Sequence, residues 1–320
     1  MARVALIVIL LAGAGAALAQ QDYPSRPLRM VIPWPPGQAT DLAGRIVAHK
    51  LTELLNRQVV SDNRPGAGGM IGTDLVAKAP PDGYTLLAAS SGPISISPLL
   101  QNAPYDYEKE LAPVANVAVS PYVLVTAPSF PAKNVQEFVA LLKTNPGKYT
   151  FSSSGTGATA HLVAEWFNNM NGLKARHIPY KGSAPALVDV STGQIDYSLE
   201  TVAATMPLVR AGRLKAYGIS IGRASALAPE LQPLSRIANM PGFDVAAWIG
   251  VMVTAKTPKP VIARLSAEVD RAMQSADVRE RLAAAGLEVD YRPTAGFGRY
   301  LKEQKARFVD IIQKSNIRID

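Results

Sequence analysis

From Leu28 onward the chain alternates between short apolar runs and segments whose apolar residues recur at helical spacing. LRMVIPW reads as a buried strand, and after the loop PPGQATD the residues Leu42, Ile46, Leu51, Leu54 and Leu55 fall on one helical face. A second strand at Gln58 to Ser61 leads through NRPGAGG to a short helix over Met70 to Ala79, a PDG turn and a third strand, YTLLAA. The same order returns after residue 148: KYTFSS, the loop SGTGAT, a helix over His161 to Met170, KARHI, the helix SAPALVDVST, QIDYSL, the helix TVAATMPLVRAG and LKAYGIS. Strands that alternate with helices through short turns predict parallel pairing and right-handed crossovers. Two lobes of one α/β class are expected, each a mainly parallel sheet flanked by helices.

Two joins connect them. VLVTAPSFPAKNVQEFVALL from Val123 and GVMVTAKTPKPVIARLSAEV from Gly250 both show a strand ending in V-T-A, a proline-bearing turn and an amphipathic helix. Read as crossings between lobes, they predict a discontinuous first lobe, residues 20–122 and 248–320, with a second lobe, residues 123–247, inserted into it. Chance likeness of two β-turn-α units is the alternative. No low-complexity linker separates the lobes, so hinged rather than freely tethered halves are expected.

The first nineteen residues, MARVALIVILLAGAGAALA, place one charge ahead of a short apolar run and end on small residues, the build of a signal peptide, residues 1–19. A membrane span needs about twenty apolar residues, more than this run supplies. Export to the periplasm is the expectation. With 0 Cys, disulfides, thiolate metal sites and cysteine nucleophiles are excluded. Lys and Arg number 33 against 25 acidic residues, a net charge of +8, but the densest basic group, Lys302 to Arg307, is interrupted by acidic and apolar residues. Such scatter suits solubility and mild attraction of anions, and no nucleic-acid partner is expected.

Ligands of open parallel sheets sit beyond the carboxyl ends of strands, where loops lead into helix starts. SSSGTGATAH occupies that position in the second lobe. Gly155 and Gly157 let backbone approach closely, Ser153, Ser154, Thr156 and Thr159 offer hydroxyls, and the helix start carries partial positive charge. A carboxylate can be held there without Lys or Arg; ordinary helix capping is the competing reading. PWPPGQATD is the counterpart in the first lobe, with Trp34, Gly37, Gln38, Thr40 and Asp41 as candidates. Asp41 is awkward in an anion site, since it competes for the same dipole, and a helix cap explains it equally well. Ser91, Tyr180, Lys181 and Glu200 follow other strands as ligand candidates or solvated loop residues, and Trp248 belongs either to a cleft wall or to the core.

Enzyme signatures are sparse. Neither a G-x-S-x-G elbow nor a phosphate-binding G-x-x-x-x-G-K-[ST] loop occurs, and His49, His161 and His177 lack metal-ligand spacing, so neither a metal nor a cofactor is expected. Ser154 with His161 invites a serine hydrolase as the alternative function, without an identifiable orienting acid or oxyanion hole. His161 otherwise serves packing or hydrogen bonding.

In combination, YPSRPLRMVIPWPPGQATDLAGR, DNRPGAGGMIGTDLVAKAPPDGYTLL, YDYEKELAPVANVA, PGKYTFSSSGTGATAHL, HIPYKGSAPALVDVSTGQID and AWIGVMVTAKTPKPVIARL resemble the substrate-binding proteins of tripartite tricarboxylate transporters, the Bug receptors. The resemblance implies a two-lobed, type II-like periplasmic binding protein fold. It also implies a hinge closing on a small organic acid, and permease subunits in the membrane as partners of a monomeric receptor. Delivery to a sensor is a variant. Carried over position by position, it assigns Gly37, Thr40 and Asp41 to one end of the solute and Ser153, Gly155, Thr156 and Thr159 to the other. Gln38 stands where the family usually has glycine, and Glu200 where it commonly has aspartate, so these two side chains are the expected determinants of specificity.

Overall fold

The computed structural model describes residues 23–314 and Ile317; the expected signal peptide lies outside the described residues. Strand β1 (Leu28–Ile32) is almost wholly buried and pairs in parallel with β2 (Val59–Asn63) and β3 (Thr85–Ser90). Helix α1 (Ala39–Leu55) connects β1 to β2 and buries Ala43, Val47, Leu51 and Leu55; helix α2 (Met70–Ala77) connects β2 to β3. A second parallel trio consists of β5 (Thr150–Ser153), β6 (Arg176–Pro179) and β7 (Tyr197–Thr201), each followed by a helix start. Those helices are α4 (Thr159–Met170), α5 (Ser183–Thr192) and α6 (Val202–Arg210), and α3 (Val135–Lys143) precedes the trio. Phe138, Phe151, Phe167 and Tyr197 form the aromatic centre of this second core, with the Phe138 and Tyr197 rings edge to face at 5.1 Å.

Between the trios lie β4 (Leu111–Thr126) and β9 (Ala246–Thr254), and the strand order is β2-β1-β3-β9-β4-β7-β5-β6, with β8 (Lys215–Ile219) and β10 (Glu288–Pro293) also paired to β4. Helices α7 (Lys259–Gln274), α8 (Ala276–Ala284) and α9 (Thr294–Lys314) return to the first half of the sheet, and Phe308 and Ile311 near the end of α9 reach the second core. Among the described residues no helix is long and apolar enough to cross a membrane.

The expected α/β lobes with parallel trios are present, and antiparallel strands join them at the centre. The β3–β9, β9–β4 and β4–β7 pairings are all antiparallel. Three reversals leave the two trios running in opposite senses. Ser90, ending β3, pairs with Ile249, which pairs with Ala118 of β4, while Thr201, ending β7, pairs with Tyr122 of the same strand. The carboxyl ends of both trios thus meet near the middle of β4. The pattern foretold only the end of β4, because Pro113 and Pro121 interrupt it and prolines argue against a central strand. A register shift between Pro113 and Ala115 accommodates the first.

Gly250 sits mid-β9, where an added Cβ would come within 2.6 Å of the Phe297 ring and 2.8 Å of the Ala115 carbonyl oxygen. Gly250→Ala is expected to lower unfolding stability by about 1–3 kcal/mol, measured by urea titration.

Candidate functional site

Where the trios meet, a small cavity of about 40 Å³ is lined by Trp34, Gln38, Thr40, Ser91, Tyr122, Ser154, Thr159, Ser183, Glu200 and their neighbours. It adjoins a larger, mainly apolar chamber of about 630 Å³ through the shared residues Trp34 and Ser154. Among the lining residues of the inner cavity there is no Lys, Arg or His. Positive potential comes instead from backbone. Helices α1, α4, α5 and α6 all start there, contributing Thr40, Thr159, Ser183 and the cap Thr201 to the lining. None of their four cap residues, Gln38, Ala158, Gly182 and Thr201, makes a side-chain capping hydrogen bond. Four first turns therefore offer N–H groups and dipole ends to one small space.

The halves touch directly around it. Gln38 Nε2 donates to Ser183 Oγ at 3.1 Å, Ser91 and Thr159 share a hydroxyl hydrogen bond of 2.8 Å, and Ser97 Oγ donates to the Gly157 carbonyl at 3.2 Å. Gln101 Nε2 donates to the Thr156 carbonyl at 3.2 Å. Gly68, with φ +62°, lets the NRPGAGG loop approach, since a Cβ there would stand 2.8 Å from the Thr156 carbonyl oxygen.

Glu200 is the one ionisable carboxyl of the inner cavity. It is 1% exposed; Ser183 Oγ donates to its Oε2 at 2.8 Å, and Oε1 is buried without a hydrogen-bond partner. Burial pushes its pKa up to about 7, an effect that nearby Ser183, Ser154 and the Thr201 backbone only partly offset. Tyr122 faces it from β4, and burial, reinforced by Glu200, raises the phenol so that it stays neutral.

Of the residues expected from sequence, Trp34, Gln38, Thr40, Ser91, Ser154, Thr159 and Glu200 line the inner cavity, while Gly155, Thr156, Tyr180 and Lys181 line the outer chamber. Trp34 is held by a hydrogen bond from its Nε1 to Ser90 Oγ at 2.9 Å. Tyr180 turns its hydroxyl to Asp189. Gly37, Ser153, Asp41, Gly157 and His161 line neither space. Asp41 is a brace: its oxygens accept from the Gly37 N–H at 2.9 Å, Arg45 Nε at 2.8 Å and Asn63 Nδ2 at 2.8 Å, while Asn63 also donates to the Trp34 carbonyl. That network shapes the loop ahead of α1 from behind. Trp248 is fully buried against Phe297, which places it in the core.

The Ser154–His161 pair does not form. His161 accepts the Gly157 N–H at Nδ1 and stacks on His177 with 3.7 Å between ring centroids. His177 Nε2 meets Ser153 Oγ at 2.7 Å, and burial, then the adjacent His161, drives the His177 pKa down to about 3. These imidazoles support the loop from within the second lobe. Sequence reasoning missed Ser183 and Tyr122. Ser183 was legible as a hydroxyl at a helix start after Gly182, whereas nothing about Tyr122 distinguishes it from an ordinary strand aromatic.

The tripartite tricarboxylate transporter family receptor model matches residues 43–317. The chain belongs to that family. Among solved structures, the receptor-family chain resembles the periplasmic binding protein BugD, with 30% identity, a TM-score of 0.86 and coverage of 92% of this chain and 99% of that one. Rpa4515 of R. palustris with adipate matches at 28% identity and TM-score 0.89, covering 93% and 99% of the two chains. MatC of Rhodopseudomonas palustris with bound malate matches at 29% identity and TM-score 0.85, covering 91% and 100%.

Two outcomes are expected. Asp41→Ala leaves Arg45, Asn63 and the Gly37 N–H without their acceptor and should cost about 2–3 kcal/mol in denaturant unfolding. Because the folded pKa of Glu200 lies above its ordinary value of 4.5, the native state binds the extra proton between them, so stability falls as pH rises from 4.5 through about 7. Glu200→Gln should therefore be more stable than wild type by a few kcal/mol, on the order of the shift, at about pH 8, and the difference should vanish near pH 4.5, by urea titration at both.

Proposed function

We propose that the protein is a periplasmic receptor that captures a small carboxylate-bearing solute between its lobes and delivers it to membrane permease subunits of a tripartite tricarboxylate-type transporter. The observation that carries this reading is the convergence of four helix starts without side-chain caps, from both halves, on one small cavity without a cationic side chain. Such a site attracts an anion and rewards closure, since a solute touching both sides binds the shut form better than the open one. Adipate and malate in the matching structures support a carboxylate as the recognised group. The leader-like first residues and the family support the periplasm.

The two spaces divide the work. One water needs about 10–15 Å³ of such volume, so the inner cavity of about 40 Å³ suits one carboxylate head, with the remainder of the solute reaching toward the outer chamber and Lys181. We place the division between lobes at Tyr122/Val123 and Ala247/Trp248. Supporting it, β4 pairs with β9 up to Pro121 and with β7 from Tyr122 on. In the serine hydrolase alternative Ser154 would need an imidazole, and both nearby imidazoles are engaged elsewhere.

The test is thermal unfolding against mono-, di- and tricarboxylates, alongside ester and amide turnover. At a concentration a hundredfold above Kd, a true solute should add about 2.7 kcal/mol of stability without turnover. Thr159→Val, which removes the hydroxyl bond to Ser91, should weaken binding by about fivefold, near 1 kcal/mol, in calorimetry. Turnover abolished by Ser154→Ala, with no stabilisation by any acid, would overturn the receptor reading.

A further inference from the structure

We propose that Glu200 holds the solute as a neutral acid, its Oε1 donating a proton in a hydrogen bond to a solute carboxylate oxygen, so that capture above neutral pH takes up one proton from water. This rests on the reading of the inner cavity as a carboxylate site.

A carboxylate side chain in an anion site is a conflict that one proton resolves. Glu200 is buried, lines the cavity, and has an oxygen, Oε1, with no hydrogen-bond partner, while its other oxygen accepts from the Ser183 hydroxyl at 2.8 Å, with Ser154 and the Thr201 backbone also close to the carboxyl. No cation stands among the lining residues to hold two negative carboxylates together. Two carboxylates confined to one small space share a proton rather than both ionise. The orphan oxygen then becomes a donor, and the solute supplies the acceptor that it lacks. A cationic amine is the other partner for a bare carboxylate, but four helix starts directed at the same space disfavour positive charge.

The other ionisable groups on the surrounding elements are buried or directed elsewhere. From β4 comes Tyr122, kept neutral by burial. From α1 come Gln38 and Thr40, with Asp41 directed to Arg45 behind them. From α4 come Thr159 and Ala160, with His161 engaged by Gly157 and His177; from α5 comes Ser183, and Lys181 before it lines the outer chamber. The side chain is thus a specificity determinant that selects an ionised carboxylate through a hydrogen bond rather than an ion pair.

Calorimetry with succinate, malate and adipate, run in buffers of different ionisation enthalpy, counts the protons. Uptake should approach about one proton per solute at about pH 8.5 and nearly vanish at about pH 5.5, with affinity falling about tenfold per unit above pH 7. Glu200→Gln keeps a donor at the same place and should bind with no proton uptake and a flat profile, whereas Glu200→Ala should bind more weakly at every pH. Binding without proton uptake, or binding that strengthens as pH rises above 7, overturns this inference alone. Absence of binding to every acid overturns it together with the receptor reading.

Discussion

The site exists because β4 and β9 reverse the chain between two parallel trios. A parallel trio presents its loops at one end only, and two trios of the same sense would present them at the same edge, side by side. Three antiparallel steps turn one trio about, so Ser90 and Thr201 finish within a few residues of each other along β4. Everything chemical follows from that meeting. Had Leu111–Thr126 been broken into two strands, the helix starts would no longer be held by one backbone ladder.

Electrostatics then explains the composition of the lining. Hydroxyl, amide and backbone N–H groups surround the cavity, and the basic residues of the chain stand elsewhere. Fixed dipoles need no side-chain ordering when an anion arrives, whereas long cationic side chains lose rotamer freedom. Small residues at the loops leave those dipoles open to the cavity. Behind them Asp41, Asn63 and Arg45 fix one loop, and the stacked His161 and His177 with Ser153 fix the other. Residues that resemble catalytic or binding groups in the sequence are in this protein the supports of such groups.

How much of this was legible before the structure differs by element. Parallel trios were readable because short strand runs alternate with helical spacing through turns that place Gly, Ser and Thr at helix starts. The central strand was not, since Pro113 and Pro121 conceal it and its bulges break the alternation. Seven candidates from four strand ends do converge, Trp34 through Glu200, because carboxyl-end loops share one location in this architecture. Direction was invisible: Asp41 and His161 belong to the right loops but face the wrong way, and one-dimensional spacing does not say which side of a first turn a side chain occupies. Ser183 escaped because its role depends on Glu200, seventeen positions away on another strand end.

Around the cavity the halves are joined by Gln38 with Ser183, Ser91 with Thr159, Ser97 with Gly157 and Gln101 with Thr156, all neutral hydrogen bonds, while an ion pair of Arg223 with Glu288 spans the same division elsewhere. Dissolved ions weaken interactions between exposed charges, with a screening length of about 10 Å at 0.1 M, and leave neutral contacts nearly untouched. The contacts around the cavity therefore keep their strength as the salt concentration of the medium changes, whereas the half-exposed Arg223–Glu288 pair is a joint that salt weakens.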